Sequence, residues 1–131
     1  MTPENARVAL KRMLANGPPT GLPVKPADLD VLLALAALRF EPGREYRERE
    51  VNDLLREWLR TLCAPFGVDH VTLRRCLVDA RILHRDRQGS TYQVDPARID
   101  RALADIDPAQ LLAEVRDERA ARKRAHQRPA P

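Results

Sequence analysis

The sequence predicts a mainly α-helical fold, and three observations predict it. Apolar residues recur at helical spacing in several segments, most clearly in EREVNDLLREWLRTL (48–62). Capping residues mark further helix starts: Asp69 precedes HVTLRR, and Asp-Pro pairs begin at Asp95 and Asp107. The β-like content is small, with two short pieces flanking a turn at Gly89.

The composition fits one domain with terminal extensions. A chain of 131 residues is a common domain length, and an apolar fraction of 44% is sufficient for a core. Aromatic residues make up only 4%, so Leu, Val, Ile and Ala must supply most of that core. Many of the 11 prolines cluster near the ends, which leaves the middle of the chain less interrupted.

The first two predicted helices differ in how their apolar residues are arranged. Residues 4–15 form a short amphipathic helix, and NGPPTGLP (16–23) ends it as a linker. The second helix, from about residue 26 to residue 40, is apolar all round its axis, which predicts burial on more than one side. We expect it to pack on the helices after Asp95, from the same chain or from a partner subunit. The residues expected to do so are Val31, Leu35 and Leu38.

The middle of the chain carries the most regular pattern. A short extended piece around Tyr46 leads into the helix of residues 48–62, where Trp58 lies on the apolar stripe and is predicted to be core. Asp69 caps a third helix over about residues 70–80. Its inward residues are predicted to be Leu73, Cys76, Leu77 and Ala80.

Two short strands and two further helices follow. The strands ILHRD and STYQV are joined by RQG as a hairpin. A helix after Asp95 is predicted to turn Ile99, Ala102, Leu103 and Ile106 inward, and another begins after Asp107. The order helix, short strand, helix, helix, hairpin is that of a winged helix-turn-helix with a small β-hairpin wing. The predicted divisions are residues 1–24 (N-terminal helix and linker), 25–95 (winged-helix domain) and 96–131 (C-terminal helices with a basic tail).

The segments FEPGREYREREVNDLLREW and DHVTLRRCLVDARILHRDRQGSTY resemble a bacterial family known as domain of unknown function 2087, over about residues 25–95. The shared pattern is Tyr46, Glu48 to Asn52, Leu55, Asp69, His70, Leu73 to Arg75, Leu77 to Asp79, Leu83, Arg85, Gly89, Ser90 and Tyr92. The resemblance implies a small winged-helix domain, sometimes attached to a DNA-binding winged helix of the arsenical-repressor type, with no established biochemical role. The turn LRTLCAPFGV is longer than the family pattern, which predicts a wider turn than in a tight DNA-binding motif.

The charge distribution is mildly polarised and favours an anionic partner. The net charge is +4, and residues 70–94 carry five arginines against two carboxylates. Residues 116–131 carry six basic residues against two acidic ones, whereas residues 28–60 have six arginines and eight carboxylates. A nucleic acid is one partner that such a surface fits, and a well-solvated arginine-rich surface is the alternative.

The leading hypothesis is an intracellular DNA-binding protein, a transcriptional regulator that acts as a dimer. Because neighbouring residues of the third helix turn inward, the adjacent arginines should point outward and contact phosphates or bases, with the wing arginines beside them. The predicted nucleic-acid-binding residues are Arg74, Arg75, Arg81, Arg85 and Arg87. Surface ion pairs, for instance with Asp79, are the simpler interpretation of these side chains.

The alternative class is a protein-interaction or dimerisation module of winged-helix shape that does not bind DNA. Val71 and Val78 lie on the same helix face as the arginines and favour it, as does the acidic second helix of the predicted motif. A surface potential that is continuously positive over the third helix and wing would favour DNA. A neutral apolar groove there would favour a protein partner.

No pattern for catalysis, a cofactor or a metal is found in the sequence. Cys63, His70, Cys76 and His84 lack the close pairing of a zinc site, and a disulfide is not expected. Phosphate-binding glycine loops and nucleophile elbows are absent from the sequence. A helix N-terminus attracts negative charge, which accounts for three clustered carboxylates. These are Glu48, Glu50 and Asp53, and the nearby Asn52 is expected to orient or cap a backbone group. We therefore expect a cytoplasmic, non-enzymatic protein with no membrane partner.

Overall fold

The computed structural model describes residues 1–15, 21–62 and 69–127, which form a mainly helical domain. Its α-helices are α1 (Pro3–Leu14), α2 (Pro26–Ala37), α3 (Glu48–Leu62), α4 (His70–Asp79) and α5 (Pro108–Gln127). Its strands are β1 (Tyr46–Arg47), β2 (Leu83–Arg85) and β3 (Thr91–Val94). The predicted linker falls partly, and Cys63 entirely, outside the described residues.

The three strands form one antiparallel sheet in the order β1-β3-β2. Tyr46 of β1 lies opposite Tyr92 of β3, and Leu83 of β2 lies opposite Val94. The alternation of the strands turns Tyr46, Leu83 and Tyr92 into the core, with at most 3% of each exposed. Helix, short strand, helix, helix and hairpin follow in the predicted order, so the predicted fold class is confirmed and is compatible with a winged-helix-like fold.

Helix α3 packs against α4 and supplies the centre of the core. Val51 and Leu55 are fully buried, and Trp58 is buried beside them, as the apolar stripe predicted. Glu50 reaches back to accept a hydrogen bond from the backbone N–H of Arg47 at 3.2 Å, which satisfies a free donor at the start of the helix. The acidic start of α3 is therefore explained in part by helix capping.

The surroundings of α2 correct one prediction. Val31 and Leu35 are buried and Leu38 is half-buried, as an all-round apolar helix requires. However, within the chain α2 packs mainly against α1 and α4, so the expected packing on the chain's own helices after Asp95 is wrong, while packing on those of a partner subunit stays a prediction. Helix α1 covers part of α2 and buries its own Leu10 and Leu14 there.

The segment after Asp95 also differs from the prediction. In place of one α-helix it forms two short 3₁₀ turns, Pro96–Arg98 and Arg101–Leu103. The carboxylate of Asp100 accepts from the backbone N–H of Ala102 at 3.1 Å and starts a second turn, while Asp100 itself is extended. A capping residue in mid-segment thus competes with helix continuation. Ala102 is exposed, contrary to prediction.

The predicted start of the last helix is confirmed. Asp107 accepts from the backbone N–H of Ala109 at 3.0 Å, and Pro108 occupies the first helical position. The first half of α5 packs on α1 and α3. None of the described helices is both long enough and apolar enough to cross a membrane.

Candidate nucleic-acid interface

Helix α4, the β2–β3 hairpin and the turn between them contain all five arginines that the sequence singles out. Asp69 caps the helix by accepting from the backbone N–H of Thr72 at 2.7 Å, and this hydrogen bond lowers the pKa of the carboxyl. Leu73 and Leu77 are fully buried and fix the rotation of the helix about its axis. The faces available to a partner follow from that rotation.

Arg74 does not point outward, so its predicted orientation is wrong. Only 13% of its side chain is exposed, and its guanidinium lies 3.2 Å from Oε1 of Glu48. It also donates a hydrogen bond to Oδ1 of Asn52 and lies over the ring of Tyr92, 6.0 Å from the centroid. A residue 100° round the helix from Leu73 lies at the edge of the buried face, where a long side chain can reach α3 and β3.

The same contacts correct the role predicted for Asn52, which was to orient or cap a backbone group. It accepts from the Arg74 side chain and not from a neighbouring backbone group. Glu48 and Asn52 are four residues apart, so both lie on one side of α3. That spacing was the one feature of the sequence that could have indicated a polar site for Arg74. Glu48 also accepts from the hydroxyl of Tyr92 at 3.4 Å, which links α3, α4 and β3.

Arg75 lies on the opposite side of α4 from the core. It is exposed, as predicted, and among the described residues it forms no ion pair. The helical repeat places it about 200° from Leu73. The outward face of α4 is made up of Val71, Thr72, Arg75, Val78 and Asp79. The two valines are half-buried.

Arg81 follows the end of α4 in a left-handed backbone conformation, with φ of +62°. Its N–H donates to the carbonyl of Val78 at 3.0 Å, and the N–H of Ile82 donates to the carbonyl of Leu77 at 2.9 Å. These two bonds form a Schellman motif, whose left-handed residue is usually glycine. An arginine there costs roughly 1–2 kcal/mol because its Cβ crowds a carbonyl oxygen. Its side chain is exposed.

The hairpin tip presents Arg85 and Arg87 around an ordered turn. Asp86 accepts from the backbone N–H of Ser90 at 2.7 Å and from its hydroxyl at 2.8 Å. Gly89 has φ of +72°, and the Arg85 side chain lies 3.6 Å from the position that a Cβ on this glycine would occupy. Both arginines are exposed. The turn therefore uses Asp86 for its own hydrogen bonds and leaves the arginines outward.

We expect Ser90→Ala to raise the pKa of Asp86 from about 2 towards the ordinary value of 3.8. The hydrogen bonds from Ser90 are the main cause of the lowered pKa. Because the folded pKa is lowered, the contribution of Asp86 to stability is present above pH 3.8 and is lost as the pH falls towards 2. An NMR titration of the Asp86 carboxyl carbon measures this; an unchanged pKa in the variant contradicts it.

The remaining polar candidates have ordinary structural surroundings. Nε2 of His70 lies 3.4 Å from the guanidinium of Arg56, and exposed His84 pairs with Asp95 at 3.3 Å. Burial raises the pKa of the half-buried Cys76 thiol, which disfavours the nucleophilic thiolate. Within residues 1–15, 21–62 and 69–127, no three His, Cys, Asp or Glu side chains are grouped as metal ligands would be. The absence of enzymatic activity stays a prediction.

The elements around α4 define the class of protein. Three helices, α2, α3 and α4, with a hairpin that pairs with a short strand before α3, form a mainly helical domain that is compatible with a winged-helix-like fold. A family model matches residues 20–94, and its description is an uncharacterized protein conserved in bacteria, domain of unknown function 2087. The match covers more than half of the chain, so the protein belongs to this family. No curated protein and no solved structure matches it significantly. Helices α1 and α5 lie outside the matched region.

Proposed function

We propose that the protein binds duplex DNA through α4 and the β2–β3 hairpin and acts as a transcriptional regulator. The observation that carries the proposal is a run of exposed cations along these two elements and the turn between them. They are Arg75, Arg81, Arg85 and Arg87. Among the described residues none of the four forms an ion pair, so their charges are available to an anionic partner.

In this proposal the arginines make different contacts. The recognition helix of a helix-turn-helix lies in the major groove. In the proposed complex α4 is that helix, and Arg75 would contact a base edge or a phosphate. The hairpin arginines, Arg85 and Arg87, would contact the backbone beside it. Arg74 does not touch DNA in this arrangement; it holds α4 against α3 and β3 through Glu48.

Arg75→Ala is expected to weaken DNA binding. The loss should be roughly 1–3 kcal/mol for a base contact and less for a phosphate contact. For Arg85→Gln/Arg87→Gln, the slope of log affinity against log salt should flatten by about 1 for each phosphate that the variant no longer neutralises. Fluorescence anisotropy on mixed duplexes at several salt concentrations measures both, with Glu57→Ala on the exposed side of α3 as the control. Absence of saturable binding by the unmodified protein at low salt would overturn the proposal.

Arg81 offers a test in which stability and binding move in opposite directions. We expect Arg81→Gly to raise the melting temperature, because glycine adopts the left-handed conformation without the cost of about 1–2 kcal/mol. The same change should weaken DNA binding, because it removes a cation from the proposed surface. Arg81→Lys keeps the charge at the helix C-terminus and should retain most of the binding. If Arg81→Gly is more stable and binds DNA equally well, Arg81 is not a contact.

A protein-interaction module is the second candidate function, and the inward orientation of Arg74 favours it. With Arg74 turned inward, the outward face of α4 carries one cation, Arg75, and one anion, Asp79, between half-buried Val71 and Val78. Such a face is close to neutral and fits a protein as well as a nucleic acid. Val71→Ser should weaken the binding of a protein partner and leave nonspecific DNA affinity unchanged, which separates the two candidates.

Homodimerisation is a separate proposal. The all-round apolar character of α2 favours it, but α1 of the same chain covers part of that surface. Light scattering decides it: a dimer doubles the 14.9 kDa mass of the chain. A mass of one chain at high concentration contradicts it.

A further inference from the structure

Helix α5 consists of two halves with different surroundings. Leu111, Leu112 and Val115 are buried against the domain. Beyond them every residue of 116–127, named here the α5 overhang, is exposed. At 1.5 Å per residue these twelve positions extend about 18 Å. Among the described residues no side chain of the overhang is buried, and its one ion pair to the rest of the domain is that of Glu118 with Lys11 of α1.

The side of α5 that is apolar in the first half becomes basic in the second. The helical repeat of 100° places Arg119, Arg122 and His126 within about 40° of Val115. Arg116 and Lys123 lie beside them at about 100° and 80°. The overhang therefore presents a basic stripe that continues the buried stripe beyond the edge of the core.

The nearby carboxylates offset this stripe only in part, because Glu114 and Glu118 share the single positive charge of Lys11. Glu114 and Glu118 both pair with Lys11 of α1, at 3.4 and 3.3 Å, and raise the pKa of that lysine. Asp117 lies on the opposite side of the helix. Arg119 repels Arg122 and Lys123, three and four residues further on, because side chains at these spacings are neighbours. A polyanion bound along the stripe would relieve this repulsion.

We propose that the α5 overhang is a second nucleic-acid contact, binding the phosphate backbone of a duplex through Arg119, Arg122 and Lys123. The inference rests on the proposed DNA-binding function and adds a surface that lies outside the matched family region. Its occupant is a polyanion by charge complementarity. A second copy of the chain would bring an identical basic stripe, and the two overhangs would repel each other.

A matched pair of variants tests the inference in the full chain. Arg122 lies on the basic stripe, and Arg124, two residues on, lies on the opposite side of the same exposed helix. Arg122→Gln and Arg124→Gln thus remove the same charge from opposite faces. We expect Arg122→Gln to flatten the slope of log affinity against log salt by about 1, and Arg119→Gln/Arg122→Gln by about 2, whereas Arg124→Gln has little effect. Circular dichroism checks that the helix content is retained.

The hairpin variant Arg85→Gln/Arg87→Gln, measured in the same titration, separates the two proposals. Equal salt slopes for Arg122→Gln and Arg124→Gln overturn the role of the overhang. The proposed function survives this result if the hairpin variant still flattens the slope of log affinity against log salt. A flatter slope for Arg119→Gln/Arg122→Gln, with no effect of the hairpin variant, supports the phosphate contact of the overhang and contradicts that of the hairpin. No binding by the unmodified protein overturns both.

Discussion

Arg74→Ala is expected to destabilise the protein by about 2 kcal/mol, a large effect for one surface-adjacent arginine. The guanidinium is mostly buried and is held by Glu48, Asn52 and the ring of Tyr92. Its removal breaks an ion pair and a hydrogen bond to a charged group, and it leaves a gap among α3, α4 and β3. Half of the Glu48 side chain is exposed, which limits the loss because water can solvate the freed carboxylate. Urea denaturation measures the change in the free energy of unfolding.

Arg75→Ala is the matched control, since it removes the same side chain from the next position. Arg75 is exposed, and its loss should change the unfolding free energy by no more than about 0.5 kcal/mol. Arg74→Lys keeps the charge but loses the planar fork that contacts two partners, so it should be intermediate. Equal stability of the Arg74→Ala and Arg75→Ala variants would contradict the structural role of Arg74. For DNA affinity the order should be reversed: where both alanine variants are folded, Arg75→Ala should weaken binding more than Arg74→Ala.

The elements that were predicted well are those determined by local sequence. Helix α3 combines a regular apolar stripe with an acidic first turn, and the observed bounds are the predicted ones. Helix α4 is set by the Asp69 cap, and the hairpin by the glycine that its turn requires at Gly89. Each of these signals acts over a few residues and does not depend on distant partners.

The errors lie where a distant contact decides the outcome. Helical periodicity places Arg74 at the boundary between core and solvent, where either direction is sterically open. Its partner Glu48 is 26 positions earlier in the sequence, and no local pattern pairs them. In the segment after Asp95 the apolar spacing predicted one helix, but Asp100 caps a new turn within it. Propensity and spacing gave no means of ranking that cap against continued helix.

Helix α1 shows that the family match does not define the folded unit. The match begins at residue 20, and the sequence indicated a separate N-terminal helix and linker. In the structure α1 packs on α2 and α5. Arg12 of α1 also pairs with Asp28, whose carboxylate is buried. A buried carboxylate is costly without a partner, so this pair ties α1 to the start of α2.

Leu10→Ala in α1 is therefore expected to destabilise the whole domain by roughly 2–5 kcal/mol, as for other large-to-small changes in a core. Leu10 is 1% exposed, whereas Val8 of the same helix is 56% exposed and lies outside the core. Val8→Ala is the matched control and should change stability by less than about 0.5 kcal/mol. Urea denaturation followed by Trp58 fluorescence and by circular dichroism should give one coincident transition for each variant, shifted to lower urea only in Leu10→Ala. Because Trp58 is in α3, such a shift shows that loss of packing in α1 is felt in the core of the matched region. If Leu10→Ala changes only the circular dichroism at low urea and leaves the Trp58 transition in place, α1 unfolds independently and is an appendage to the family domain.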